Sequence, residues 1–338
     1  MAQVNKRLLL ASRPAGIPGP EHFTSDEVPV RPPGDGELLT ETVYISIDPA
    51  MRSWIGSGPS YVPSVAIGAV MRAGGIARVL ESRAAGFAPG DLVQGRVNWQ
   101  TYPLLRADQT QKLDLEAGSA EDWIGPLGTS ALTAWFGLRD IGALRPGDRL
   151  LVSGAAGGVG QIAAQIGLLE ACQVVGIAGG AEKCQFLKQD LGLHGVIDYK
   201  SENDMTAAIR RECPDGVDVY FDNVGGPTLD AALANLRMGA RVVLCGRISQ
   251  TTAAEPYAIR NLGLFSSRRA RMGGFLVFDY HDQYKPARAW LKYHLRAGRL
   301  RQKLHVVSGL DRAPEALGML FRGGNTGKLV VGVASSGY

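Results

Sequence analysis

No cysteine precedes Cys172, and His22 is the only histidine before His194. A catalytic zinc ion needs Cys and His ligands around one open position, and the first part of the chain cannot assemble them. The four cysteines, Cys172, Cys184, Cys213 and Cys245, are widely spaced and contain no CxxC pair. They read as free thiols in a reducing compartment, with neither a disulfide framework nor a zinc lobe. His194, His281, His294 and His305 show no ligand spacing. Long apolar runs are also missing. The N-terminal apolar stretch in "NKRLLLASRPAG", at about five residues, falls short of a signal peptide's apolar region. Nothing approaches the ~20 apolar residues of a membrane span. The net charge is only +4, and Arg268, Arg269 and Arg271 form the one basic cluster, read as a solvated or phosphate-facing patch. No G-x-S-x-G elbow supports serine hydrolysis. These absences predict a cytoplasmic protein without metal, membrane or nucleic-acid partner.

What is present is an ordinary globular composition, 45% hydrophobic and 20% charged over 338 residues, a length that suits two domains. Up to about residue 120 the chain is rich in Gly and Pro, with short β-branched runs that predict strands over 36–48, 74–82 and 90–105. Beyond Trp123 strands alternate with helices, the pattern of a doubly wound parallel sheet. The strands expected there are 149–153, 173–178, 195–198, 218–222, 240–246 and 273–278. The helices are 158–170, 181–191, 203–212, 227–236 and 284–297. The tail from 304 carries strands and a helix that return to the first domain. The expected organisation is therefore a β domain of 1–122 completed by 304–338, and a nucleotide domain of 123–303.

The stretch "LLVSGAAGGVGQIAAQIG" (150–167) places a glycine knot between a buried strand and a helix. "AAGGVG" (155–160) matches G-x-G-x-x-G with Ala155 at the first position. Gly157 admits a pyrophosphate close to the backbone, Gly160 lets the helix pack on the strand, and the helix start supplies N–H groups. An NAD site then places an acid at the end of the second strand, roughly 20 residues on. Here Ala178, Gly179 and Gly180 stand at that end and Lys183 follows. A missing carboxylate and a nearby ammonium favour a 2′-phosphate, hence NADP(H) over NAD(H). With no metal and no nucleophile, the chemistry that remains is hydride transfer by the cofactor.

Several stretches resemble one family in order along nearly the whole chain. They are "SIDPAMRSW" (46–54), "SYVPSVAIGAVM" (60–71), "GTSALTAWFGL" (128–138), "DVYFDNVGG" (218–226), "VVLCGRISQ" (242–250), "GGFLVFDY" (273–280) and "GGNTGKLVV" (323–331). Together with the glycine knot they resemble the zinc-independent medium-chain dehydrogenases/reductases, the branch of prostaglandin, alkenal double-bond and curcumin reductases. The resemblance implies a GroES-like β domain beside a Rossmann domain in a homodimer. It implies that Gly157, Gly158 and Val159 face the pyrophosphate, and that Gly179, Lys183 and Tyr199 hold the 2′-phosphate end. Asn223, Cys245, Gly246, Ile248 and Ser249 should line the cofactor. Thr133, Phe275, Leu276, Val277 and Asn325 should close over its nicotinamide half. Ala50, Met51, Tyr61 and Tyr280 should line the substrate pocket. In this branch a hydride goes to the β-carbon of an enone or enal while charge grows on the carbonyl oxygen, where a hydrogen-bond donor lowers the barrier.

The chain departs from the family pattern twice. Thr251 follows "ISQ" where the family has a tyrosine, and Ala50 replaces a second tyrosine in "DPAMR". Threonine donates a hydrogen bond but is a far weaker acid than a phenol, and losing both rings enlarges the pocket. Thr251 or Tyr257 is then the expected carbonyl partner, with Tyr61 lining the pocket. A zinc-independent quinone reductase, an alcohol/ketone dehydrogenase and a non-catalytic NADPH-binding protein remain the alternative readings.

Overall fold

The computed structural model describes residues 3–58 and 60–334, and the chain forms two compact units. The first takes the chain up to Ile124, then Leu304–Asn325 and the chain from Leu329. The second takes Gly125–Lys303 and Thr326–Lys328. In the first unit β1 (Val4–Leu10) and β2 (Phe23–Pro29) pair antiparallel. There follow β3 (Glu37–Ser46), the short helix α1 (Met51–Trp54), β4 (Gly75–Ser82), β5 (Leu92–Gly95), β6 (Leu104–Arg106), β7 (Gln111–Lys112) and α2 (Ala120–Ile124). The expected strand over 90–105 is two strands, β5 and β6. Asn98 between them has a positive φ of 56°, a turn conformation that Asn tolerates and an extended ladder does not. Arginines tie α1 and the loop after it to the segment that follows β1. Buried Arg52 donates to the carbonyls of Pro14, Ala15 and Gly16, and Arg13 donates to those of Gly56 and Val65.

The second unit opens with α3 (Thr129–Phe136) and then alternates. Its elements are β8 (Arg149–Ser153), α4 (Gly160–Leu169), β9 (Gln173–Ala178), α5 (Ala181–Gln185), β10 (Gly195–Asp198), α6 (Met205–Glu212), β11 (Val217–Asp222), α7 (Gly226–Ala234), β12 (Leu236–Leu244), α8 (Leu264–Arg268), β13 (Arg271–Gly274) and α9 (Tyr284–Arg296). Apolar strands such as "LLV" (150–152) and "VYF" (219–221) are fully buried, as strands covered on both faces require. All pairs are parallel, in the order β10-β9-β8-β11-β12-β13. Chain direction across the sheet reverses between β8 and β11, and in such sheets ligands bind outside the carboxyl ends of the strands at that point. This is the expected α/β Rossmann architecture beside a separate β unit. Two expectations shift. The helix over 181–191 is α5 followed by a π-helical turn, Phe186–Asp190. The strand over 273–278 stops at Gly274, because its partner β12 ends at Leu244 and offers no ladder beyond. Phe275–Val277 therefore lie outside the sheet instead of in its core.

After Lys303 the chain adds β14 (Leu304–Ser308), α10 (Ala313–Phe321) and β15 (Lys328–Gly332), which complete a seven-stranded sheet ordered β14-β15-β3-β4-β5-β7, with β6 on β3. Just before that crossing, two glutamines one turn apart on α4 act as a strand edge. Gln161 exchanges hydrogen bonds with the backbone N–H and C=O of Lys303 at 2.9 and 3.1 Å, and Gln165 does the same with Arg301 at 3.0 and 2.8 Å. Both side chains are buried, so each amide satisfies two backbone groups that would otherwise be stranded. Gln165→Ala should destabilise the fold by about 1–3 kcal/mol, read as a lower urea midpoint with an unchanged slope.

Candidate functional site

In the second unit the turn from β8 into α4 carries the candidate cradle. Gly157 N–H closes the turn on the Gly154 carbonyl at 2.9 Å. The Gly158 N–H faces the Gly327 carbonyl in an isolated parallel bridge between Gly157 and Gly327, whereas the N–H groups of Val159 and Gly160 find no acceptor among the described residues. Two free donors at the start of a ten-residue helix form an anion site. Glycine is required on steric grounds as well. A Cβ on Gly160 would overlap the Gly154 carbonyl, and one on Gly158 would come within 2.8 Å of the Lys328 side chain. The turn is braced from outside: Gly327 N–H donates to the Ala156 carbonyl at 2.8 Å, and Gln302 donates to the Gly158 carbonyl at 2.5 Å.

At the end of β9, Gly179 lacks a side chain because the Tyr199 ring occupies that space; a Cβ would stand 2.6 Å from it. Asp198 holds this corner together, accepting from the backbone N–H of Gly180 at 2.8 Å and of Lys200 at 3.0 Å. Lys183 and Lys200 thus meet at one corner. Burial holds the Lys183 ammonium below the usual lysine range, and the charge of Lys200 pushes it further the same way. Two crowded ammoniums beside an open backbone are the electrostatic complement of a dianion. Sequence reading missed Lys200, although its position directly after Tyr199 was the available signal.

The carboxyl ends of β8, β11 and β12 are tied to one buried residue. Asp222 Oδ1 accepts from Ser153 Oγ (3.0 Å), Tyr220 Oη (2.7 Å) and the N–H groups of Val224 and Gly225 (both 3.0 Å). Its Oδ2 is buried without a partner, and burial raises the carboxyl above its ordinary range. Ser153 also accepts from the Asn223 N–H at 3.0 Å, and the Asn223 carboxamide donates to the Ser153 carbonyl at 2.7 Å. The Asp222 carbonyl takes the N–H groups of Cys245 and Gly246 at 2.9 Å each. Asn223, Cys245 and Gly246, all expected at the cofactor, are therefore placed by Asp222, which sequence reading left aside. Burial pushes the Cys245 thiol up to about 12, the Asp222 charge adding to it, so it stays a neutral thiol. Ile248 and Ser249 continue this rim, bonded to Asn223 and Val224.

The other expected residues are distributed as follows. The Thr251 hydroxyl closes its own turn on the Ile248 carbonyl at 2.9 Å. The Tyr257 hydroxyl donates to Asp230 at 3.1 Å. Asp230 also takes the N–H groups of Arg260 and Asn261, so Tyr257 anchors a loop to α7 and its proton is committed there. Tyr280 is stacked on Phe136 at 4.4 Å and donates to Asp140, which makes it a packing residue more than a pocket wall. Thr133 lies on α3, bonded to Thr129. Phe275 meets Tyr280 edge-on at 6.3 Å, Leu276 is exposed and Val277 buried. In the first unit, Met51 is fully buried in the hydrophobic core, so it supports the α1 region from behind instead of lining a pocket. Ala50 and Tyr61 are surface-accessible, Tyr61 at 45%, and Asn325 is buried. Among the described residues no three His, Cys, Asp or Glu side chains gather as a metal site, and no helix is long and apolar enough to cross a membrane.

Known proteins share this arrangement. A family model described as the N-terminal domain of oxidoreductase matches residues 6–113, and one described as zinc-binding dehydrogenase matches residues 158–292. The NADPH-dependent curcumin reductase of Escherichia coli is 38% identical over 342 aligned residues, covering 98% of both chains. The NADP-dependent 2-alkenal reductase of Nicotiana tabacum is 37% identical, again over 98% of both. The crystal structure of CurA from Vibrio vulnificus in complex with NADPH superposes with a TM-score of 0.92 at 36% identity, covering 98% of this chain and all of that one.

The Asp222 hub makes its own test. Asp222→Ala strands four donors and should cost about 3 kcal/mol or more, whereas Asp222→Asn, which keeps an acceptor oxygen, should cost about 1 kcal/mol. Thermal unfolding of the two variants side by side measures the difference.

Proposed function

This chain belongs to the zinc-independent branch of the medium-chain dehydrogenase/reductase superfamily, and from that premise we propose that it uses NADPH to reduce the C=C bond of α,β-unsaturated ketones or aldehydes. At the coarser level it is an oxidoreductase of the curcumin, alkenal and pulegone reductase type. The observation that carries the cofactor assignment is the corner at the end of β9, where the strand ends without an acid of its own, Lys183 and Lys200 crowd together, and Tyr199 covers Gly179. The free N–H groups of Val159 and Gly160, beside the glycine backbone of 157 and 158, suit a pyrophosphate. The residues present therefore fit NADP(H).

Bound NADPH supplies a hydride to the β-carbon and becomes NADP⁺. The protein's task is to hold the cofactor, to stabilise the enolate oxygen and to let a proton reach the α-carbon. In this reading Asn223, Cys245, Gly246, Ile248 and Ser249 orient the nicotinamide half, together with Thr133, Phe275–Val277 and Asn325. The Tyr257 proton is committed to Asp230, which leaves Thr251 as the hydrogen-bond donor to the carbonyl in this reading, with Tyr61 lining the pocket. Thr251 needs only to trade its single turn bond for one to the substrate. A threonine is a poor proton source, so the α-carbon takes its proton from water. The homodimer belongs to the same reading. β13 is paired on one side only and carries exposed Met272 and, just beyond it, Leu276 and Phe278, a free edge that a second copy would cover. Light scattering that gives a monomer mass would remove that part.

NADPH oxidation at 340 nm with 4-phenylbut-3-en-2-one, followed by product analysis, tests the reaction, and the saturated ketone is the expected product. Turnover of a quinone in place of the enone would instead favour the quinone-reductase alternative that Thr251 and Ala50 keep open. Lys183→Met should weaken NADPH binding about ten- to hundredfold and leave NADH binding nearly unchanged, because only the 2′-phosphate meets this ammonium. Fluorescence titration with both cofactors measures the ratio, and equal losses for both would contradict the assignment.

A further inference from the structure

Backbone groups hold most of the turn that opens α4. Gly157 N–H closes on Gly154, and the Ala156 carbonyl takes the Gly327 N–H. The Gly157 carbonyl takes the Gln161 N–H at 3.1 Å, and the Val159 carbonyl takes those of Ile162 and Ala163. The peptide that joins Gly158 to Val159 is different. Among the described residues its N–H, on Val159, has no acceptor, and its carbonyl has no backbone donor. A single side chain holds that carbonyl: the Gln302 carboxamide donates to it from Nε2 at 2.5 Å. A carbonyl accepts from the NH2 end of an amide and repels the oxygen end, so the contact also fixes which way the Gln302 group is turned.

Keeping Gln302 in that pose is unfavourable locally. Its Oε1 is buried with no partner, and an acceptor left unpaired in the interior costs about 1–3 kcal/mol. The backbone nonetheless delivers the side chain to one place. Its neighbours on either side, Arg301 and Lys303, are the residues that Gln165 and Gln161 clamp to α4. The helix whose first turn forms the cradle therefore places the side chain that steadies that turn. All of these residues belong to the second unit.

A trans peptide carries its C=O and N–H in one plane and in opposite directions. Fixing the Gly158 carbonyl on one side aims the Val159 N–H to the other, and a carbonyl that accepts a hydrogen bond leaves its own N–H a stronger donor. We propose that Gln302 is a positioning residue for the dinucleotide pyrophosphate, acting through the Gly158–Val159 peptide and touching no ligand atom itself. The unpaired Oε1 is the consequence of a carboxamide placed for that peptide and not for its own satisfaction. The inference rests on the NADP(H) assignment above and on no feature of the substrate.

The test is calorimetric affinity for NADPH, NADH and adenosine 2′-phosphate, the last carrying the phosphate of the Lys183 corner and no pyrophosphate. Gln302→Met keeps the length of the side chain and removes the donor. Both dinucleotides should then bind about three- to tenfold more weakly, the worth of one hydrogen bond, while adenosine 2′-phosphate binds as it does to the wild type. That pattern is the reverse of Lys183→Met, in which NADPH alone loses affinity. The ligand-free melting temperature should stay near the wild-type value, because removing the unpaired Oε1 offsets the lost bond. Gln302→Glu, which when ionised accepts but does not donate, should weaken both dinucleotides at least as much, and it carries the test if the methionine variant does not fold. Dinucleotide affinities unchanged in the folded variants, whether or not the melting temperature falls, would make Gln302 a structural brace alone and overturn the proposal. A loss confined to NADPH, or an equal loss for adenosine 2′-phosphate, would put its effect at the 2′-phosphate corner and overturn the proposal as well. A wild-type protein that binds neither dinucleotide brings down the cofactor assignment itself, a result distinct from equal binding by wild type and variants. No enone enters the test, so failure of the reductase reading leaves its outcome intact.

Discussion

One buried carboxylate oxygen sets the geometry at the centre of the parallel sheet. Asp222 Oδ1 gathers a hydroxyl from β8, a phenol from its own strand and two N–H groups from the loop entering α7. A strand end normally leaves its last backbone groups to water. Here they are collected inside the protein, and the loop after β11 has one conformation because its donors have one acceptor. The positive φ angles of Gly225 (71°) and Gly226 (59°) belong to the same constraint: a side chain at either position would keep the backbone from turning its N–H groups inward. The rim formed by Asn223, Cys245 and Gly246 is rigid because of this node, and hydride transfer rewards rigidity at the sub-ångström level.

The rest of the cradle uses two further devices, absence of bulk and concentration of charge. Gly158, Gly160 and Gly179 each leave a volume that a neighbouring group fills or a ligand can approach, and each has a named neighbour: the Lys328 stem, the Gly154 carbonyl and the Tyr199 ring. Charge enters as unpaired N–H groups at one end of the site and as paired ammoniums at the other. Both lie at the mouth of one site, which separates this arrangement from the surface ion pairs elsewhere, such as Arg31 with Glu37 or Arg312 with Glu315.

Much of this was legible in the residues. Buried parallel strands announce themselves as unbroken apolar runs, and β8, β9 and β10 fall on the ranges expected for them. The glycine knot was readable because its steric demand falls on a single residue type. Where reading failed, the deciding fact was a partner distant in sequence. β13 stops early because β12 does, and the long strand after residue 90 breaks at the left-handed Asn98. Met51 looked like a pocket residue by its neighbours, and only three-dimensional packing shows it inside the core. Asp222 was invisible because its importance lies in how many groups converge on it, a count that cannot be taken along a chain.

The crowded corner at Lys183 and Lys200 has a consequence beyond selectivity. An empty site keeps two like charges close together in a half-buried place, and a bound dianion removes that repulsion, so ligand binding and folding share the same free energy. The loaded chain is the more stable species, by an amount that grows with the logarithm of ligand concentration over Kd. In a cell this links the protein's lifetime to the local supply of its dinucleotide: when the pool falls, more of the population opens, and proteases clear what the pool no longer supports.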